Sequence, residues 1–355
     1  MKAKLFIFSV FTLCAIGMLF ILSITSVRMY SKDPYILFKK QLISIFLGFM
    51  IMFLVSKLSF DVMKKISLVI FIVAFALVLS SLFVGEGKVK RWIHLPGFSI
   101  QPVEFFKIGI ILLYSNILSK IKREDIDFYA FLLFAVSFFV LSMPVLLQPD
   151  YGNFLLIMLF CFFLLFIKGV KMKYFFLTSA PVLALLFFFA VSSTYRMNRI
   201  LAFLDPWKDP QGKGFQIIQS MVAYSSGGLS GVGIGEGTQK LFFLPEAHND
   251  FIISSIAEET GMVGILLIIS LLFFVIFIGF SSAISLKDEF AKLVVAGSTF
   301  IIGIEAVMNL YVSVGLMPAK GLPFPFVSYG GSSMIKSFAL AGMILSGISH
   351  AEDDR

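Results

Sequence analysis

The sequence is poor in charge. Only 14% of its 355 residues are Asp, Glu, Lys or Arg, whereas a soluble globular domain carries about 25%. Hydrophobic residues make up 59% of the chain, and the mean hydropathy is +0.97. This shortage of charge excludes an ordinary small soluble domain. It leaves either a very large buried core or a protein that is solvated by lipid.

Cysteine and histidine are equally scarce, with two and three residues respectively. Cys14 and Cys161 both fall inside apolar runs, so no structural disulfide is expected. The histidines have no metal-ligand spacing, and the sequence has no Walker motif, no dinucleotide-binding glycine fingerprint and no nucleophile elbow. Nucleotide hydrolysis and dinucleotide binding are therefore not indicated, and no resident cofactor or metal site is predicted.

The charges that are present are mostly positive and give the chain a net charge of +8. They lie in short clusters between apolar runs rather than in a basic stripe with interleaved aromatic residues. We therefore expect no nucleic-acid partner. Lys and Arg in this arrangement are typical of loops that set the orientation of membrane helices.

Apolar runs of membrane-spanning length recur along the whole chain. They cover residues 5–27, 36–56, 66–84, 101–119, 128–147, 151–167, 174–194, 251–281, 290–316 and 333–349. A helix needs about 20 apolar residues to cross the hydrocarbon layer, and its backbone polar groups must be bonded within the helix. The sequence predicts an all-α integral membrane protein, a single domain over residues 1–355 with about ten transmembrane helices.

The basic residues favour an arrangement with both termini in the cytoplasm. Every loop that this arrangement places inside carries at least two Lys or Arg residues, whereas the loop at 148–150, placed outside, carries none. It also places outside the longest polar segment, about 195–250, between helices seven and eight. That segment contains Trp207 and a glycine series between residues 227 and 237, which favours tight turns or backbone close to a ligand over a flexible linker.

A first polar cluster lies around the start of the fourth apolar run. Arg91 and Trp92 precede Gln101, and Glu104 and Lys107 follow it within an otherwise apolar span. Three residues apart, Glu104 and Lys107 share one face of a helix. Ionisable residues inside a membrane are costly and often functional. A structural ion pair that fixes two helices is an equally good interpretation, and the two interpretations do not exclude each other.

Two further clusters favour irregular backbone. The segment QPDYG at 148–152 lies at a helix boundary, where a turn capped by the aspartate explains it without chemistry. The segment 317–333 contains three prolines and three glycines, which predicts a rigid irregular turn after which Ser332 could cap the last helix. Glu305 and Lys336 are unusual within their apolar runs, and the sequence alone gives no account of them.

The strongest candidate for chemistry lies where the long loop meets the eighth apolar run. Glu246, His248 and Asp250 occupy alternate positions there, a combination typical of an acid–base site at the rim of a membrane protein. Asp250 could instead serve only as an N-cap. Glu258 and Glu259 follow about 12 Å deeper along the helix, where they need basic partners or a wet cavity.

The four clusters together closely resemble the SEDS family, the FtsW/RodA proteins of shape, elongation, division and sporulation. The resemblance is carried by KRWIHLPGFSIQPVEFFK, QPDYGN, the segment from RILAFLDPWKDPQ to LPEAHNDFIISSIAEETGMVG, and GLMPAKGLPFPFVSYGGSS. These segments are spread over most of the chain in the order expected of the family. Val103 and Asn249 stand where the family commonly has Ser and Thr, and neither change removes an acid or a base.

The resemblance implies a peptidoglycan glycosyltransferase that polymerises lipid II on the outer face of the bacterial cytoplasmic membrane. It makes Asp250 the essential aspartate, a general base on the C4 hydroxyl of the acceptor sugar, with undecaprenyl pyrophosphate leaving the donor by inversion. It makes Glu104 and Lys107 the family's intramembrane pair. The leaving pyrophosphate needs positive charge, and a divalent cation could assist. The candidate cations are Arg91, Arg196, Arg199 and Lys240.

The same resemblance implies a class B penicillin-binding protein transpeptidase as partner, among the other membrane proteins of the divisome or elongasome. Supporting roles at the substrate site are expected for Trp92, Gln101, Glu246, His248 and Ser332. Residues 318–321 and 205–219 resemble the division branch, FtsW, more than the elongation branch, RodA. Two other functions stay open: a lipid II flippase, which needs no base at the rim, and a non-catalytic scaffold for the transpeptidase.

Overall fold

The computed structural model describes residues 1–27, 35–85, 90–96, 98–179, 194–212, 214–318 and 321–353, and these are mostly helical. The helices are α1 (Lys2–Val27), α2 (Ile36–Ser56), α3 (Phe60–Val84), α4 (Pro102–Ser119), α5 (Phe128–Leu147), α6 (Tyr151–Ile167), α7 (described over 172–179), α8 (Thr194–Leu204), α9 (Phe215–Gly227), α10 (Ile252–Ser285), α11 (Glu289–Ser313) and α12 (Gly331–Asp353).

Within the described ranges, eight helices are long and apolar enough to cross a membrane, namely α1 to α5 and α10 to α12. Helix α6 is apolar but shorter. The predicted all-helical, multi-pass membrane fold is confirmed, and each predicted run except 174–194 coincides with one of these helices. Most of that run, residues 180–193, lies outside the described residues, so the total of about ten helices stays a prediction.

Local sequence signals explain where several helices begin. The side chains of Ser59, Asp127 and Asp288 each accept a hydrogen bond from the backbone N–H three residues later, at the starts of α3, α5 and α11. Such N-caps satisfy backbone donors that the first helical turn leaves unpaired. Pro102 opens α4, a position where its missing N–H does no harm.

Successive helices alternate in direction from α1 to α6 and again from α10 to α12, so the described connections gather at two ends of the bundle. The loop end holds residues 90–101, 148–150, 205–251 and 314–330. The tail end holds both termini and is tied together by polar contacts: Arg123 Nε donates to the Gly169 carbonyl (2.7 Å), and Ser346 Oγ donates to the Leu58 carbonyl (3.1 Å). Nearly all polar clusters singled out in the sequence lie at or just below the loop end.

Helices α4, α11 and α12 form the centre of the bundle. In their most apolar windows, 67%, 72% and 89% of residues are buried, against 22% for α2 and 28% for α3. The outer helices therefore present large apolar side chains such as Phe46 and Phe53 to the surroundings, as expected where lipid is the solvent. The centre is where the polar residues of the helices are found.

One element departs from the all-α prediction. Residues Ile93–Leu95 and Phe98–Ile100 form a short antiparallel hairpin between α3 and α4, in which His94 is opposite Ser99. The Pro-Gly pair inside IHLPGFSI is a turn signal that could have indicated it. The hairpin lies in the loop and leaves the membrane helices unchanged.

Helix α10 is broken in its first third, a feature that the sequence did not predict. Gly261 has φ +64° and ψ −162°, a conformation that only glycine adopts readily. The segment 228–233 fills the break: Val232 and Gly233 donate their N–H groups to the carbonyls of Glu258 and Glu259. Irregular backbone within a membrane helix requires such partners, because lipid supplies none.

Candidate active site

Asp250 lies at the loop end, at the junction between the long loop and α10. The N-cap residue of α10 is Phe251, and no side-chain capping hydrogen bond is made at this helix start. The interpretation of Asp250 as only an N-cap is therefore wrong. Asp250 is partly exposed, whereas Phe251 and Ile252 behind it are buried, so the aspartate marks the border between core and surface.

The segment 321–330 packs against the residues around Asp250. A Cβ atom added at Gly321 would lie 3.6 Å from Asp250 Oδ2, so the carboxylate borders a position that has no side chain. The rings of His248 and Tyr329 have centroids 5.6 Å apart. Burial raises the pKa of Tyr329, so this phenol contributes a neutral hydroxyl to the site at neutral pH.

The base of this segment is held by the buried side chain of Gln41 on α2. Its Nε2 donates to the Ser328 carbonyl (3.1 Å), and its Oε1 accepts from the Gly330 N–H (3.2 Å). The hydroxyl of Ser332 on α12 accepts from the Gln101 N–H (2.9 Å) at the start of α4. Gln101 and Ser332 were predicted as substrate-site residues, and the contacts found for them join two helix starts.

Four ionisable side chains form a closed ion-pair network between α4, α11 and α12. Lys107 Nζ lies 3.0 Å from Glu104 Oε1 and 2.6 Å from Glu305 Oε1. Lys336 Nζ lies 3.0 Å from Glu104 Oε2 and also contacts Glu305 Oε2. All four side chains are at most 1% exposed. This tetrad is neutral as a whole, which makes its complete burial tolerable.

The tetrad explains two pairs of ionisable residues that stand out within the apolar runs of the sequence. The predicted contact between Glu104 and Lys107 is present, and Glu305 and Lys336, which had no explanation, complete the network. With every charge paired, the geometry fits a structural role in fixing three central helices. Glu305 lies one helical turn below Asn309, and the amide of Asn309 contacts the Asp250 backbone. The tetrad therefore stabilises the part of α11 that contacts the loop end.

The two adjacent acids on α10 hold the glycine-rich loop. Glu258 accepts hydrogen bonds from the Thr238 N–H (2.8 Å), the Thr238 hydroxyl (2.9 Å) and the Gln239 N–H (3.1 Å). Glu259 accepts from the Gly235 N–H (2.7 Å) and pairs with Lys240 Nζ (2.7 Å). These contacts form a latch between the loop and the broken helix, and they supply the partners that the two buried acids require.

The latch corrects the prediction made for Lys240. This lysine is 2% exposed, and it donates to Ser23 Oγ (2.9 Å) as well as to Glu259. Its charge is already balanced and its side chain is enclosed. Lys240 therefore does not fit the expectation of a loop cation that is available to a leaving pyrophosphate.

Arg91 contacts the predicted turn at residues 148–152. Its Nε lies 3.7 Å from Asp150 Oδ2, and its guanidinium donates to the Pro149 carbonyl. Asp150 caps α6 by accepting from the Asn153 N–H (3.3 Å) and amide group (2.9 Å). The capped turn predicted for QPDYG is confirmed, and Arg91 stabilises it.

The remaining predicted site residues have diverse settings. Trp92 is half-buried beside the hairpin, and Glu246 is exposed with φ +53°, in a turn where its carbonyl accepts from the Asn249 and Phe251 N–H groups. Arg196 and Arg199 lie on α8, and their side chains are outside the described part of the chain. Among the described residues no group of three or more His, Cys, Asp or Glu side chains could hold a metal ion.

Sequence comparison gives the chain relatives over almost its whole length. Residues 3–353 match the FTSW_RODA_SPOVE family of cell cycle proteins. The probable peptidoglycan glycosyltransferase FtsW of Geobacter sp. (strain M18) is 36% identical over 344 residues, covering 94% of this chain and 93% of that protein. The protein of the same name from Borreliella burgdorferi is 38% identical over 318 residues, covering 88% and 86%.

Two solved structures share the fold. A chain from a peptidoglycan synthase complex, studied for its coordination of polymerization and crosslinking, superposes with a TM-score of 0.80 at 28% identity and covers 98% of this chain and 97% of that one. A mutant of the rod shape determining protein RodA of Thermus thermophilus gives a TM-score of 0.70 at 25% identity, with 96% and 95% coverage.

Proposed function

This chain belongs to the FtsW/RodA/SpoVE family of cell cycle proteins, and on that premise we propose that it is a peptidoglycan glycosyltransferase of the FtsW type. It polymerises lipid II into glycan strands for cell division. Relatives at 36% and 38% identity carry the name FtsW, which supports the division branch over the RodA branch. Asp250 at the loop end is the residue on which the chemistry depends.

The protein lies in the bacterial cytoplasmic membrane with both termini inside, so that the loop end faces outward. This orientation follows from the distribution of Lys and Arg between loops. Nucleotide sugars are cytoplasmic, so glycosyl transfer on the outer face needs a lipid-linked donor. A membrane enzyme whose sequence has no nucleotide-binding motif is consistent with such a donor.

In the proposed mechanism Asp250 removes the proton from the C4 hydroxyl of the acceptor GlcNAc. The resulting oxygen attacks C1 of the donor MurNAc, the bond from C1 to the pyrophosphate oxygen breaks, and undecaprenyl pyrophosphate leaves with inversion. The observation that carries this assignment is the position of the carboxylate, at the border of core and surface and beside Gly321. Positive charge at the leaving group would lower the barrier, and Arg91, Arg196 and Arg199 remain candidates for it.

A class B penicillin-binding protein is the proposed partner, because the enzyme makes strands that a transpeptidase would cross-link. The similarity to a chain of a peptidoglycan synthase complex supports such an assembly. The apolar helices α2 and α3 are mostly exposed within the chain, so they offer surfaces for a transmembrane helix of the partner as well as for lipid.

The test is polymerisation of labelled lipid II by the purified protein with its class B partner. Wild type should produce glycan strands, and Asp250→Ala should lower the rate by about 100-fold or more, since a general base contributes at least that much. Glu236→Gln removes an exposed acid from the same loop and should leave the rate unchanged. Folding and partner binding of each variant are checked by size-exclusion chromatography.

Other outcomes would point to other functions. Strands from a folded Asp250→Ala variant at the wild-type rate would move the role of base to another acid, with Glu246 next. If wild type makes no strands but moves lipid II across vesicle membranes, and Asp250→Ala does so equally well, the protein is a flippase. If the transpeptidase activity of the class B partner requires this chain but is the same with wild type and with Asp250→Ala, the chain is a scaffold.

A further inference from the structure

Helix α11 carries a stripe of buried polar residues at a spacing of four. Glu305, Asn309 and Ser313 lie one above another on one face and are each at most 1% exposed. Each contacts a different layer of the protein. Glu305 belongs to the tetrad, Asn309 contacts the segment of Asp250, and Ser313 pairs with Tyr224 of α9 (2.8 Å).

The amide of Asn309 joins two chain segments that meet at the proposed site. Its Nδ2 donates to the Asp250 carbonyl (2.9 Å) and to the Leu322 carbonyl (2.8 Å). An amide NH2 has two hydrogens, so both are used, one on each segment. Asn309 therefore sets the distance between the backbone of Asp250 and the segment that begins at Gly321.

The neighbouring residues repeat this arrangement. The Asn249 carbonyl accepts from Ser328 Oγ (2.7 Å), and the His248 carbonyl accepts from the Tyr329 N–H (3.0 Å). Three consecutive carbonyls, of residues 248, 249 and 250, are thus held by donors from α11 and from the segment 321–330. Of the three donors, Asn309 is the one that bonds to Asp250 itself and that stands on a rigid central helix.

These three bonds fix the backbone and do not involve the carboxylate. A catalytic base must be held close to its productive position, and a displacement of about 1 Å can lower a rate by about 100-fold. A residue that fixes the backbone of a base is suited to that task. The tetrad lies one helical turn deeper than Asn309. Its ion pairs resist displacement of α11.

We infer that Asn309 is a positioning residue for glycosyl transfer, acting through the backbone of Asp250; this inference rests on the proposed function. Asn309 orients the Asp250 carboxylate, whose Oδ2 lies beside Gly321, toward the acceptor hydroxyl. It acts on the rate of the chemical step and not on the binding of lipid II.

The experiment measures kcat and KM for labelled lipid II with the full chain and its class B partner. Asn309→Leu keeps the number and branching of side-chain heavy atoms and removes both hydrogen bonds, and we expect kcat to fall by about 100-fold with KM unchanged. Asn116→Leu is the matched control. Asn116 also joins two helices through its amide, donating to the Lys64 carbonyl (3.1 Å) and Ser67 Oγ (2.8 Å), but it does so far from Asp250, in the tail-end half of α4.

The outcomes separate this inference from the proposed function. Equal loss of kcat in Asn309→Leu and Asn116→Leu, or a rise in KM with kcat unchanged, would overturn the assignment of Asn309. If Asn309→Leu does not fold, Asn309→Gln decides, because it keeps the donors but moves them by one methylene: a lower kcat at unchanged KM supports the assignment, and wild-type kinetics overturn it. A wild type without polymerase activity would overturn the proposed function itself.

Discussion

Two aspartates at the loop end have similar places in the sequence and different surroundings in the structure. Asp150 and Asp250 each stand just before a membrane helix, α6 and α10. Asp150 is 3% exposed, caps its helix and faces Arg91. Asp250 is partly exposed and does not cap α10, and its backbone carbonyl accepts a hydrogen bond from Asn309.

The difference distinguishes acids that stabilise the fold from an acid that is positioned for catalysis. Five acids have structural roles: they are buried, and their oxygens are bonded to cations or N–H groups. They are Asp150 in the turn, Glu104 and Glu305 in the tetrad, and Glu258 and Glu259 in the latch. Asp250 is partly exposed, lies beside Gly321 and is held through its backbone carbonyl by Asn309.

The largest effect on stability is expected in the tetrad. Lys336→Met leaves two buried acids facing one lysine, and breaking a buried ion pair in this way typically costs about 3–5 kcal/mol. Unfolding in detergent, followed by circular dichroism, measures the loss. Adding Glu305→Gln to Lys336→Met restores neutrality and should recover part of the stability. Lys4→Met, at an exposed lysine of the tail end, is the control; equal midpoints for the two single variants would refute a structural tetrad.

A graded effect on turnover is expected at Gly321. Gly321→Ala adds a Cβ at 3.6 Å from Asp250 Oδ2, an ordinary contact that should leave the lipid II polymerisation rate near wild type. Gly321→Val adds two methyl groups in the same space and should lower the rate by about 100-fold by displacing the acceptor. Equal rates for the two variants would show that the space beside Asp250 is not used by substrate.

A more local effect is expected at the latch. Glu258→Gln weakens hydrogen bonds to a charged group, which are worth about 1.5–3 kcal/mol each. Amide hydrogen exchange at Thr238 and Gln239 should then become at least about tenfold faster, as measured by mass spectrometry. The control is Glu236→Gln, in the same loop. Unchanged protection in Glu258→Gln would mean that the loop is held by other contacts.

The smallest effect is expected at Asp150. Asp150→Ala removes the cap of α6 and should lower the free energy of unfolding by about 1 kcal/mol. Asp150→Asn should change it little, because asparagine caps a helix about as well as aspartate. Thermal unfolding of the two variants gives the difference. A larger loss in Asp150→Asn than in Asp150→Ala would contradict the capping role.

Much of the fold could be predicted from the sequence because its signals are local. The membrane helices follow from runs of apolar residues, and the contact of Glu104 with Lys107 follows from a spacing of three on a helix. The capped turn at Asp150 needs only neighbouring residues. The position of Asp250 at a helix start was equally visible, but its role was indicated by the family resemblance and not by spacing.

The rest depended on contacts between distant parts of the chain. Lys336 and Glu305 bind across two different helices, and Asn309 looked like any polar residue in an apolar run until its partners at 250 and 322 were known. The break at Gly261 was hidden because a glycine within a long apolar run is common in membrane helices. A stripe at 305, 309 and 313 could have been found by inspecting one face of the predicted helix.

The role of Asp250 as the base is tested most directly by making the same substitution at both aspartates. Asp150→Asn and Asp250→Asn each remove one negative charge with almost no change of shape, and their rates of lipid II polymerisation are measured with the class B partner bound. We expect a wild-type rate for Asp150→Asn and a loss of about 100-fold or more for Asp250→Asn, with both proteins folded. Equal rates for the two variants would contradict the assignment of Asp250 as the base.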